Sequence, residues 1–136
     1  DKEISNQVRL IDFMPTILKH IGFEIDKKFE SLDGESLLSL IEGKAFDEKL
    51  AYTETGNPLD QSRPPKRPNV KSVRTSNWKL IFNEHNNTKE LYNLIQDPNE
   101  KNNLIGKGFD IEKSLWKKLM LIQKKHYSDT ISSHKY

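Results

Sequence analysis

The chain of 136 residues contains no cysteine, which excludes disulfides and thiolate nucleophiles and leaves folding to side-chain burial and hydrogen bonding. It has no apolar run near the roughly 20 residues that a bilayer-spanning helix needs, so no membrane segment is expected. No excess of one charge is present: 22 basic residues face 20 acidic ones, for a net charge of +2. That balance argues against a dedicated nucleic-acid binder. Apolar residues make up 34% of the chain and charged ones 31%, so the core must be economical. The length suits one domain and one core.

Punctuation divides the chain. Asp12 is placed to cap a helix that holds Pro15 in its first turn, where the missing N–H costs nothing. Ile17, Leu18 and Ile21 give that helix an apolar stripe, and Gly22 is placed to end it in the left-handed conformation. Residues 24–33 are charged and read as loop. Ser36 to Glu42 reads as a short helix carrying Leu37, Leu40 and Ile41, stopped by Gly43.

Lys49 to Thr55 then reads as a strand. Gly56 to Asn69, with Pro58, Pro64, Pro65 and Pro68, reads as a loop. Lys71–Thr75 and Trp78–Glu84 alternate as strands around a turn at Ser76-Asn77. A polar tip, His85 to Thr88, leads into a strand over Lys89–Leu94. Short loops between successive strands favour an antiparallel meander. Asp97 with Pro98 and Glu100 predicts a capped helical turn resembling a capping box. Asp110 caps a last helix expected to run to about His126, with Ile111, Leu115, Leu119 and Ile122 on one stripe widened by Trp116 and Met120. Residues beyond Tyr127 read as a frayed tail.

The expected fold class is therefore α+β: a four-stranded antiparallel sheet packed against a long C-terminal helix, preceded by short helices. The expected division is a helical segment over 1–48, the sheet-plus-helix unit over 49–127 and a flexible tail over 128–136.

The order of the motifs adds to this reading. Ile11 to Phe23 (IDFMPTILKHIGF), Leu32 to Lys44 (LDGESLLSLIEGK), the strand Ala51-Tyr52-Thr53-Glu54, the pair Val73-Arg74-Thr75 and Trp78-Lys79-Leu80-Ile81, and the run Glu90 to Leu104 (ELYNLIQDPNEKNNL) follow one another in a set sequence. Together they resemble the C-terminal part of a sulfatase, arylsulfatase-like and of the alkaline phosphatase superfamily. Asn93 stands where that family usually has Asp in its ELYDL run.

The resemblance implies a parent protein that hydrolyses sulfuric esters with a formylglycine nucleophile and a divalent cation, usually calcium. It also implies an N-terminal catalytic domain in the same parent chain as the partner of the 13–21 helix. The nucleophile of such a protein arises from a C/S-x-P-x-R motif, and none of Arg9, Arg63, Arg67 and Arg74 closes one here. The chain opens at Asp1 without Met, as expected of a domain cut from a longer protein. No catalytic residue and no metal ligand is assigned within the chain, so by itself it is not expected to hydrolyse a sulfate ester.

Four side chains are candidates for substrate contact. Glu54 sits at a strand end beside the proline-rich loop, where the resemblance implies a position near the active-site mouth; the alternative is an ordinary strand-end carboxylate. Arg63 and Arg67, with Lys66 and Lys71, gather positive charge that could draw an anionic ester, or else simply solvate a loop. Arg74 matches a family position, though an arginine inside a sheet is more often an ion-pair partner than a substrate contact.

The histidines His20, His85, His126 and His134 show no metal-ligand spacing. Asn86-Asn87-Thr88 satisfies the glycosylation pattern. A second functional class stays open: a non-catalytic interaction or dimerisation module, in which the apolar stripe of the 13–21 helix forms a homodimer contact.

Overall fold

The computed structural model describes residues 3–23, 33–56 and 69–133, with side chains described as far as residue 125. The chain forms two compact units, Asp1–Ala51 and Tyr52–Tyr136.

In the first unit a 3₁₀ turn over Leu10–Asp12 runs into helix α1, Phe13–His20, and helix α2 follows at Leu38–Ile41. Asp12 precedes α1 as expected, but its carboxylate caps nothing in that helix. Instead it accepts hydrogen bonds from the Arg9 backbone N (3.0 Å), the Arg9 guanidinium (2.7 and 3.1 Å) and the Glu35 backbone N (2.9 Å). The physical reason is the arginine three residues back: a charged, bidentate partner outcompetes the neutral amides of the first turn. Thr16 completes the clasp, donating to the Asp12 carbonyl at 2.5 Å and accepting from the Leu37 N at 2.9 Å.

Gly34 runs so close to the 3₁₀ turn that a Cβ there would lie 2.0 Å from the Ile11 carbonyl oxygen. Both helices stop as their glycines predict. Gly22 (φ 76°) and Gly43 (φ 77°) are left-handed. Phe23 N bonds to Leu18 O, and Lys44 N to Ser39 O, each closing a Schellman motif. Leu37 and Leu40 are buried, while Ile41 is exposed. The charged stretch expected as loop falls, over 24–32, outside the described residues.

The second unit is the expected α+β layer. Strands β1 (Ala51–Thr55), β2 (Val70–Arg74), β3 (Trp78–Asn83) and β4 (Thr88–Asn93) form one sheet in the order β1-β2-β3-β4. The β2–β3 and β3–β4 pairs are antiparallel, with Val73 opposite Leu80 and Leu80 opposite Leu91. Val73, Leu80 and Leu91 are fully buried and share one face by alternation.

Helix α3, Asp110–Ser133, covers that face with Leu115 and Leu119, also fully buried. Phe82 meets Trp116 edge-to-face at 4.9 Å between ring centroids, and the Lys89 ammonium lies 3.7 Å from the Trp116 ring centre. α3 continues to Ser133, beyond the expected end at His126.

The capped helical turn expected after Leu94 does not form. Asp97, Pro98 and Glu100 start no helix; residues 94–96 and 98–99 are turns. Glu100 has φ 55°, outside helical backbone. Its carboxylate, rather than bonding back to Asp97, takes the Lys79 ammonium at 2.7 and 2.9 Å. Asp97 does cap, but toward Asn102, whose N donates to it at 2.7 Å. The turn carries the chain along the free edge of β4. There Asn103 Oδ1 accepts from Leu91 N (3.0 Å) and Leu104 N donates to Leu91 O (2.8 Å). Both edge-facing groups of Leu91 are thereby satisfied, which blunts β4 as a site for strand-to-strand aggregation. Asn93 accepts from Ile95 N and Gln96 N through Oδ1 (3.1 and 3.3 Å), so the amide still serves the turn.

Candidate functional site

The residues singled out from the sequence fall on two elements and one undescribed stretch. Glu54 is exposed on β1, and its carboxylate accepts from the Tyr52 hydroxyl at 2.7 Å. Arg74 ends β2 and is also exposed, with interactions of its own. Arg63 and Arg67 lie outside the described residues, as do Pro58, Pro64, Pro65 and Pro68.

Thr53 and Ser72 share a hydrogen bond of 2.6 Å across the β1–β2 border. Alternation therefore puts Arg74 on the same face as Thr53, and Glu54 on the other. Along the strands they are also separated. Asn69 N bonds to Thr55 O, which sets Glu54 beside the start of β2, whereas Arg74 is at its end, about 10–13 Å away at 3.3 Å per residue. A small groove at the sheet margin, lined by Thr53, Ser72, Lys79 and Ile81 on the Arg74 face, borders Glu54.

Other polar groupings lacked an obvious sequence signal. Lys71 is almost wholly buried beneath α3 and pairs with Glu84, whose Oε1 also accepts from Gln123 Nε2 at 2.6 Å. The one available hint was a lysine in register with Val73 on an alternating strand. Tyr92 is buried and donates to Glu90 at 2.6 Å. That bond, with burial and the negative charges of Glu90, Glu100 and Asp97, pushes its hydroxyl up to about 12. Tyr92 thus stays protonated and is no base at neutral pH.

Among the described residues no three His, Cys, Asp or Glu side chains converge to hold a metal ion. The donor set does not fit a divalent cation, and a chain without cysteine or a C/S-x-P-x-R motif does not fit a formylglycine. No chemical step is assigned to either within these residues.

A family model described as N-sulphoglucosamine sulphohydrolase, C-terminal, matches residues 1–125. The chain belongs to that family. It is a sulfatase C-terminal domain by this match, and solved structures agree. One is the structure of BT4656 in complex with D-glucosamine-2-N,6-O-disulfate, at 27% identity and TM-score 0.64, covering 92% of this chain and 25% of that one. A second is a putative sulfatase from Bacteroides thetaiotaomicron, at 21% identity and TM-score 0.54, covering 90% and 24%. A third is the putative sulfatase yidJ from Bacteroides fragilis, at 18% identity and TM-score 0.63, covering 84% and 24%. The chain spans about a quarter of the length of these structures. No curated protein matches it. The motifs that carried the sulfatase resemblance are thus those of the family's C-terminal domain, and the turn they encode is the one that bonds to Leu91 of β4.

Proposed function

We propose that this sulfatase C-terminal domain braces the catalytic domain of a sulfuric ester hydrolase and supplies one wall of its substrate pocket. The family match over residues 1–125, set against a chain a quarter the length of its solved relatives, carries the reading. In it, calcium and formylglycine belong to the preceding catalytic domain, which is also the partner of α1.

The substrate class is a sulfated glucosamine. The family description and the ligand bound to BT4656 both support that choice. Glu54, Arg74, Arg63 and Arg67 are proposed as the contacts at the pocket mouth. Of the described pair, Glu54 is chosen for the test, since it borders a groove and its carboxylate is already oriented by Tyr52.

The test is kinetic. In the intact parent acting on a sulfated glucosamine monosaccharide, Glu54→Gln should raise KM about tenfold with kcat nearly unchanged, the loss of one charge-assisted hydrogen bond. An unchanged KM rejects Glu54 as a contact. Sulfate release by the 136-residue chain alone rejects the division of labour itself.

A second reading rests on a separate observation. Leu10, Ile17 and Ile21 are 82%, 61% and 69% exposed, an apolar surface that a second copy could cover when the catalytic domain is absent.

A further inference from the structure

Between Lys113 and Lys125 the outer side of α3 carries charge of one sign. Lys113, Lys117, Lys118, Lys124 and Lys125 are all exposed. At 100° per residue, Lys113, Lys117 and Lys124 fall within about 40° of one another, and Lys118 and Lys125 form a second row beside them. Leu121, 58% exposed, lies between the rows. From Lys113 to Lys125 the array is about 18 Å long at 1.5 Å per residue.

Up to Lys125 the acidic residues of the helix, Asp110 and Glu112, are both in the first turn, and the next one, Asp129, comes four residues after Lys125. Glu112 is occupied there by the Gly106 N at 2.9 Å. Lys113, Lys117, Lys118 and Lys124 form no ion pair with a described residue.

Two ordinary explanations for such a face do not apply. A solvated helix surface usually alternates sign, because opposite charges four apart stabilise it, whereas Lys113 and Lys117 at that spacing repel. Lysines near a helix C-terminus can be there to meet its dipole. A helix ending near His126 would have put Lys124 and Lys125 in that position, but α3 runs to Ser133 and its last turn holds no basic residue. The row therefore lies mid-helix, where the dipole gives it nothing.

We infer that this lysine face is a docking surface for a sulfated polysaccharide, holding the polymer whose sugars the parent desulfates. The identity of the polyanion rests on the sulfated-glucosamine reading above. Charge complementarity selects the ligand, and the length of the array selects an oligomer over a monosaccharide. Binding of this kind releases counterions and weakens steeply with salt, and surface lysines act over no more than about 10 Å at 0.1 M salt.

The experiment uses the intact parent and heparin, a sulfated glucosamine polymer, as the probe. The triple variant Lys113→Gln, Lys117→Gln, Lys124→Gln keeps good helix formers at exposed positions, so folding should be preserved. Its heparin affinity at low salt should fall at least about tenfold, and the slope of log affinity against log salt should become shallower by about two. Turnover of a sulfated monosaccharide should not change. Lys44→Gln, in the other unit, should alter neither. Heparin affinity unchanged in the triple variant overturns the inference, as does binding of duplex DNA or phosphatidylserine vesicles as tight as that of heparin and lost with the same lysines. Failure of the parent reading is distinguishable, because the unaltered protein would then release no sulfate from the monosaccharide.

Discussion

A single carboxylate organises the first unit. Asp12 is 2% exposed, a burial that taken alone would raise its pKa. The Arg9 hydrogen bond and the backbone N–H groups of Glu35 and Arg9 outweigh burial and hold the carboxyl below its ordinary value. A depressed folded-state value means that the stabilisation is complete above the unfolded carboxylate pKa and is lost as pH falls through the folded one. Asp12→Asn should therefore cost about 1–3 kcal/mol at pH 7. It should also flatten the stability loss that the unaltered chain shows on acidification below about pH 4. Thermal melts at pH 7 and pH 3 read both effects; equal acid sensitivity in the two proteins would show that Asp12 is not the group responsible.

At the scale of elements, legibility followed the reach of the interaction. The helices and strands dictated by periodicity and glycine stops could be read directly: Gly22 and Gly43 close Schellman motifs, and Leu115 and Leu119 seat α3 on Val73, Leu80 and Leu91. The turn after Leu94 could not, because Asp97, Pro98 and Glu100 satisfy a local capping pattern while the competing partners are distant. Lys79 is 21 residues from Glu100, and Leu91 is 12 from Asn103. Asp12 stands at the N-cap of α1 as expected, but its carboxylate turns elsewhere for a related reason, since Glu35 is 23 residues away. Of the candidate site, Glu54 and Arg74 were legible only as positions in motifs; that they occupy opposite faces depends on the β1–β2 register, which no local pattern encodes. The stripe on α3 leads to its own test. Leu119 is wholly buried, so Leu119→Ala removes its transfer energy and leaves a cavity against the sheet, for a loss of about 2–5 kcal/mol. Leu121→Ala, two residues on and 58% exposed, should stay within about 0.5 kcal/mol. Denaturant midpoints for the pair check the assignment, and similar losses would mean that α3 does not seat through the Leu115–Leu119 stripe.

On the scale of the whole molecule, the surface of the first unit is unlike that of a self-sufficient domain. Leu10, Ile11, Phe13, Met14, Ile17 and Ile21 are each half or more exposed, within a stretch of a dozen residues. Water does not favour so dense an apolar surface, and soluble proteins seldom present one without a partner. In the proposed parent the catalytic domain covers it. In the chain alone, burial at about 25 cal/mol per Å2 is available only through self-association. Light scattering of the isolated chain at tens of micromolar should thus give a mass above that of the monomer, and the double variant Ile17→Lys, Ile21→Lys should return it to the monomer without loss of helix. The same two substitutions in the parent should loosen the catalytic domain from this one, read as faster proteolysis at their junction. A monodisperse monomer of the unaltered chain, together with unaltered proteolysis of the substituted parent, would mean that neither a second copy nor a catalytic domain occupies this surface.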